Sequence, residues 1–327
     1  MSAQVIGRDK IDQLTEDGHL DAAQRTFALE IAGINPSVPQ WHRFLGRLFL
    51  FFGVALMIAA VGYFVAYNWD EMGRFAKIAL LEVGVVAAAL AAARFGPGDL
   101  RGRAALLGAV LLTGPLLAFI GQTYQTGADT YELFRAWALL AFPWVFVARW
   151  RTLWCLWLLI ANVSVALYFA EAWLPLLGSV FNPLGALAHL LGNALFVVAL
   201  EWRGQRQLVG AGRSAERLAL AIVIAAATFL YFHFLFGSRE HAVWQLLVSV
   251  GVFVAVWCWY RLKQLDLVAL AMWSVAGIGL AVATVGKVLS EGRFESWGFL
   301  LLGGTIIGLS AWAASWLRRL HKTAEAS

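Results

Sequence analysis

The chain has 327 residues, a formal charge of +5 and a sequence pI near 9.4, with 61% hydrophobic residues against 14% charged. Soluble domains carry about a quarter charged residues, so composition excludes an ordinary water-soluble enzyme. The basic balance is no nucleic-acid footprint either: Lys and Arg are scattered over short loops and tails, with no DNA- or RNA-binding motif between them.

Residues 1–40 read as a small cytoplasmic helical segment. Ile11 and Leu14 with Gly18 mark a short helix and its stop. Asp21 followed by Gln24 has the form of a capping box that opens a second helix, with Gly33 as its end. Asn35-Pro36 and Pro39 are expected to break the chain before Trp41. No secretory signal peptide is visible in this polar stretch, so the first apolar helix is expected to act as the insertion signal. The segment is too small to hold a catalytic core. It is either a mute hairpin or a docking module for a protein partner.

A transmembrane domain follows at residues 41–320, with a cytoplasmic tail at 321–327. Apolar runs long enough to cross a bilayer core of about 30 Å fall at 44–67, 75–94, 104–121, 131–148, 152–170, 183–200, 216–236, 242–261, 266–285 and 296–317. Without water, backbone groups in lipid must be satisfied within helices or closed barrels. Runs such as Leu48 to Ala66 lack the alternation of barrel strands, so the fold class is all-α, a polytopic bundle of about ten helices. The short gaps at 149–151 and 262–265 leave open whether 131–170 and 242–285 are each two helices or one broken helix. No internal repeat is found.

Loops alternate in charge along this ladder. Nineteen of the 25 Lys and Arg residues lie on one side, among them Arg94, Arg101, Arg103, Arg149, Arg151, Arg203, Arg206, Arg213, Arg217, Arg261 and Lys263. By the positive-inside rule that side is cytoplasmic, which puts both termini inside the bacterial cytoplasmic membrane. An even number of spans fits this. Cys155 and Cys258 fall near cytoplasmic helix ends, where a disulfide is not expected. No metal-ligand spacing is present and no cofactor is implied.

Polar groups deep in a bilayer are costly and mark function by default. Glu82 lies in the outer part of the second span. It reads as a buried proton carrier, as the partner of Lys77, or as a residue facing a small water pocket. His189 lies at similar depth in the sixth span, with Asn193 one turn deeper on the same face. Asn162 is near the middle of the fifth, and Pro115 is expected to kink the third. Two outer turns stand out: Tyr67-Asn68-Trp69-Asp70-Glu71, and Gly121-Gln122-Thr123-Tyr124-Gln125 leading to Asp129. Their amides, hydroxyls and carboxylates suit recognition of a small polar solute, or else cap helix ends within the aromatic belt. The candidate outer cluster is therefore Asn68, Trp69, Asp70, Glu82, Gln122, Tyr124, Gln125, Asp129, His189 and Asn193, and the cytoplasmic half is apolar by comparison. No nucleophile-and-base pairing, phosphate loop or zinc-protease motif appears, so no catalytic residue is assigned.

The helical hairpin, the Arg-flanked first span ending in Tyr67-Asn68-Trp69-Asp70, and Lys77 opening the second resemble the bacterial family labelled domain of unknown function 2157. The segment from Gly121-Gln122-Thr123-Tyr124-Gln125 to Asp129, then Leu133, Trp137-Ala138-Leu139-Leu140 and Pro143, is similar to that family's other recurrent stretch. The resemblance covers roughly residues 10–150. It implies a polytopic bacterial inner-membrane protein and supplies no substrate, cofactor or catalytic residue. Three functional readings follow. The leading one is a transporter or binder of a small polar solute. Its main rival is a non-transporting sensory or structural protein whose outer turns bind a partner. The third is a membrane-embedded enzyme on envelope lipids or glycans.

Overall fold

The computed structural model describes residues 8–32, 34, 38–68, 71–171, 182–202, 212–237, 242–291 and 297–326. These form twelve α-helices: α1 (Arg8–Glu16), α2 (Ala22–Ile31), α3 (Val38–Tyr67), α4 (Arg74–Phe95), α5 (Leu100–Tyr124), α6 (Thr130–Ala148), α7 (Arg151–Glu171), α8 (Pro183–Trp202), α9 (Ser214–Phe236), α10 (Ala242–Cys258), α11 (Leu267–Glu291) and α12 (Trp297–Ala326). Ten of them, α3 to α12, are long and apolar enough to cross a bilayer, and no strand occurs among the described residues. The protein is an all-α, multi-pass membrane protein, as its apolar runs predict.

The hairpin forms as its caps dictate. Asp21 accepts from the Gln24 N–H at 2.7 Å, and the Gln24 side chain accepts from the Asp21 N–H at 2.9 Å, which completes the capping box. Gly18 takes the left-handed φ of +76° that ends the α1 turn. Arg25 bonds Asp12 at 2.6 Å across the two helices. Gly33 lies outside the described residues. The expected break at Pro39 does not occur. Pro39 sits in the first turn of α3, where its missing N–H has no intrahelical partner to lose.

Short turns make neighbours antiparallel. Arg149 adopts a left-handed φ of +45° between α6 and α7, and Trp157 on α7 donates to the Ala138 carbonyl of α6 at 2.9 Å. Residues 131–170 are thus a hairpin of two helices. A π-helical turn, Trp259–Lys263, ends α10 before the break at Gln264, so 242–285 is likewise two helices. Pro115 is accommodated inside α5, which continues through it to Tyr124.

Two helices act as hubs. In the first, α5 packs against α3, α4 and α6 through buried Gly102, Ala104, Gly108, Ala109 and Gly114. In the second, α9 packs against α7, α8, α10 and α11, with Ala215, Ala219 and Ala227 fully buried. Lipid tails are as apolar as the helices, so close approach at small residues, rather than escape from water, drives this packing.

Candidate functional site

The structure places the outer candidates apart in role. Asn68 folds back on its own helix, with Nδ2 donating to the Phe64 carbonyl at 2.9 Å. Trp69 and Asp70 lie outside the described residues. Gln125 caps α5 in the left-handed conformation, its N–H bonded to the Gly121 carbonyl, while Gln122 and Tyr124 are exposed. Asp129 occupies the N-cap position of α6 through its carbonyl, which accepts from Glu132 at 3.0 Å; its side chain makes no cap bond. Glu82 is exposed on the outward face of α4, whereas Lys77 is buried on the face toward α5, 6.0 Å from the Phe119 ring. Five residues at about 100° each set the two side chains roughly 140° apart around the helix.

Hydrogen bonds bring together His189 and Asn193, with Asn162 as the link. Asn162 Nδ2 donates to the Leu158 carbonyl at 2.7 Å, and Asn193 Nδ2 donates to the His189 carbonyl at 2.8 Å. A backbone carbonyl only accepts, so both amides are fixed in orientation. Asn162 Oδ1 then accepts from Asn193 Nδ2 at 2.7 Å and faces His189 Nδ1, also at 2.7 Å. Oδ1 has no proton to give, so Nδ1 carries the imidazole hydrogen and Nε2 of the neutral ring is an acceptor. No hydrogen bond to Nε2 is found among the described residues. The ring lines a cavity of about 290 Å³ between α7 and α8, walled by Trp157, Ala161, Val165, Leu195 and Phe196. Asn193 is 3% exposed, so the triad is a built part of the bundle.

The expectation of an apolar cytoplasmic half is wrong. At the ends of α7 to α11 that meet the basic loops lies a buried cluster of charges. Arg151 pairs with Glu216, and Arg213 with Glu201. Asp266 bridges Arg213 at 3.2 Å and Arg217 at 3.1 Å. Arg213 also lies 5.6 Å from the centre of the Tyr260 ring. Glu216 is 1% exposed, and its Oε1 has no hydrogen bond among the described residues. Asp266 also caps α11, accepting from Val268 at 3.0 Å and Ala269 at 3.2 Å. Burial pushes its carboxyl upward. The hydrogen bonds from Arg217 and Ala269 and the charges of Arg213 and Arg217 outweigh that, leaving it below the usual Asp value. Charge counting by loops overlooked this cluster because it treats each Arg as a topology marker. The available signal was the three carboxylates, Glu201, Glu216 and Asp266, at span ends beside arginines.

What this geometry can do chemically is limited and specific. The charge cluster ties four spans, α7, α8, α9 and α11, at one end. The triad offers one acceptor to a cavity in mid-span. No group of three or more His, Cys, Asp or Glu arranged for a metal occurs among the described residues.

Residues 12–154 match the model of a family described as Predicted membrane protein (DUF2157). The stretch runs from α1 into the start of α7 and bears out the resemblance seen in the hairpin and the two outer turns. No curated protein and no solved structure matches the chain.

Proposed function

We propose that this protein is a binding protein of the bacterial cytoplasmic membrane, with both termini cytoplasmic, that takes up a membrane-soluble amphiphile between α7 and α8. The observation that carries the reading is the 2.7 Å contact of His189 Nδ1 with Asn162 Oδ1. The two asparagines hold Nε2 as an open acceptor, and the walls around it are apolar. A ligand suited to that cavity has a hydroxyl or N–H donor on an apolar body. This narrows the expected small polar solute to an amphiphile. The charge cluster speaks against a carrier that rocks these helices apart, since four spans are cross-tied at one end. Gln122, Tyr124, Gln125 and Asp129, with Asn68, serve here as the rim of the outer face. In this reading the α1–α2 hairpin is a small cytoplasmic segment.

Photolabelling tests the site. A diazirine-bearing long-chain alcohol, added to native membranes, should label peptides of α7 and α8. His189→Phe should lower that labelling severalfold, and equal labelling in the variant refutes the site. Topology is tested separately in a chain lacking Cys155 and Cys258. Thr126→Cys should react with an impermeant thiol reagent from the periplasmic side and Ser214→Cys should not; the reverse pattern overturns the orientation.

A second reading, a sensor whose N-terminal hairpin docks a cytoplasmic partner, is favoured by one observation. Phe27 and Ile31, one turn apart on α2, are 64% and 72% exposed. Pull-down with the hairpin intact and with Phe27→Ser/Ile31→Ser tests it. Equal recovery of the same proteins refutes it.

A further inference from the structure

Glu82 raises a separate question. It lies eight residues into α4, roughly 12 Å along the axis from Arg74. It is exposed, and no hydrogen bond or ion pair to it is found among the described residues. A carboxyl group at that depth cannot be left to hydrocarbon cheaply.

The face that carries it is patterned. Phe75, Ala79, Glu82, Val86, Ala89 and Ala93 follow one another by alternate steps of four and three, and all but half-buried Ala89 are exposed. That is the spacing found at the seam of a left-handed helix pair, with alanines that would allow close approach and one polar residue near its middle. The opposite face of α4, with Lys77, Ile78 and Leu81 buried, already packs on α5.

We propose that two copies of the chain associate through α4, with Glu82 of each facing Glu82 of the other. Copies inserted the same way and related by a twofold axis along the membrane normal bring each residue to the same depth as itself. The seam then meets itself in register. A carboxyl group is self-complementary in such a pair, because its acid form both donates and accepts. An unrelated helix would have to supply its own polar group at that depth.

Cysteine cross-linking in native membranes tests this, in a chain with Cys155 and Cys258 replaced by serine. Ala79→Cys and Val86→Cys should form a disulfide dimer on oxidation, while Leu195→Cys, exposed on α8, should not. Adding Glu82→Leu should lower the cross-linking about threefold to tenfold. Glu82→Gln, whose amide also donates and accepts, should lower it less. Cross-linking at the α4 positions no greater than at Leu195→Cys overturns the proposal. So does cross-linking that Glu82→Leu leaves unchanged in a variant still monodisperse in detergent.

Discussion

In α3–α6 the spans meet by shape. Trp137 of α6 lies over Gly114 of α5, where an added Cβ would come 2.6 Å from the indole, and its N–H bonds the Val110 carbonyl at 2.7 Å. In α7–α11 the spans meet by shape and by charge together. The alanine face of α9 packs as α5 does, but Arg151, Arg213 and Arg217 then tie it to α7, α8 and α11 through Glu216, Glu201 and Asp266. Further stitches run between spans above the cluster: Tyr231 to Thr284 at 2.8 Å, and His233 to Gln245 at 3.1 Å. The first group leaves its outward faces, including Glu82, without such ties. One part of the bundle is cross-tied by charge and the other is held chiefly by packing.

Four experiments break or sharpen this contrast. Glu216→Ala removes the buried carboxylate that pairs with Arg151, and breaking such a pair costs about 3–5 kcal/mol. Thermal unfolding in detergent should show a large loss, and hydrogen exchange should rise in α7–α11 before α3–α6. A uniform rise would abolish the distinction. Gly114→Ala forces the Trp137 ring to move, an overpacking cost of about 1–3 kcal/mol. Its exchange increase should be confined to α5 and α6.

Acid should act on the second group selectively. Asp266 has a folded value below the ordinary one, so its contribution is present above the unfolded value and is lost as pH falls through the folded value. The window therefore lies below about pH 4. Asp266→Asn should flatten the decline in thermal stability there, and a decline of unchanged slope would refute this. The smallest effect concerns the hairpin. Deleting residues 1–37 should shift stability within about 0.5 kcal/mol, because its ion pair and capping box are internal to it. Aggregation of the shortened chain would show that α1 and α2 are part of the bundle.

The spans and the hairpin were legible because their signals are local. A run of apolar residues, or Asp21 three positions before Gln24, is complete within a few residues. His189 and Asn193 were legible as one face of one helix, but Asn162, 31 positions before Asn193, could only be named beside them. The charge cluster was not legible, since Arg151 and Glu216 are 65 positions apart and nothing in either neighbourhood names the other. Glu82 was misplaced for another reason. A helix that is apolar all round gives no periodicity from which to tell an inward face from an outward one.

The 65 residues between Arg151 and Glu216 also separate them in time. At roughly 5–20 residues per second, Arg151 is added to the chain several seconds before its counter-charge exists. During that interval it is a cation still without Glu216, the condition under which a basic residue can hold a helix end on the cytosolic side. Arg217 waits in the same way for Asp266, whereas Arg213 already has Glu201 behind it in the chain. Once α11 arrives, each of these cations sits in a pair, and Asp266 is the last partner of the α7–α11 unit to be made. A nascent chain arrested before that residue should be inserted correctly and still come apart in detergent.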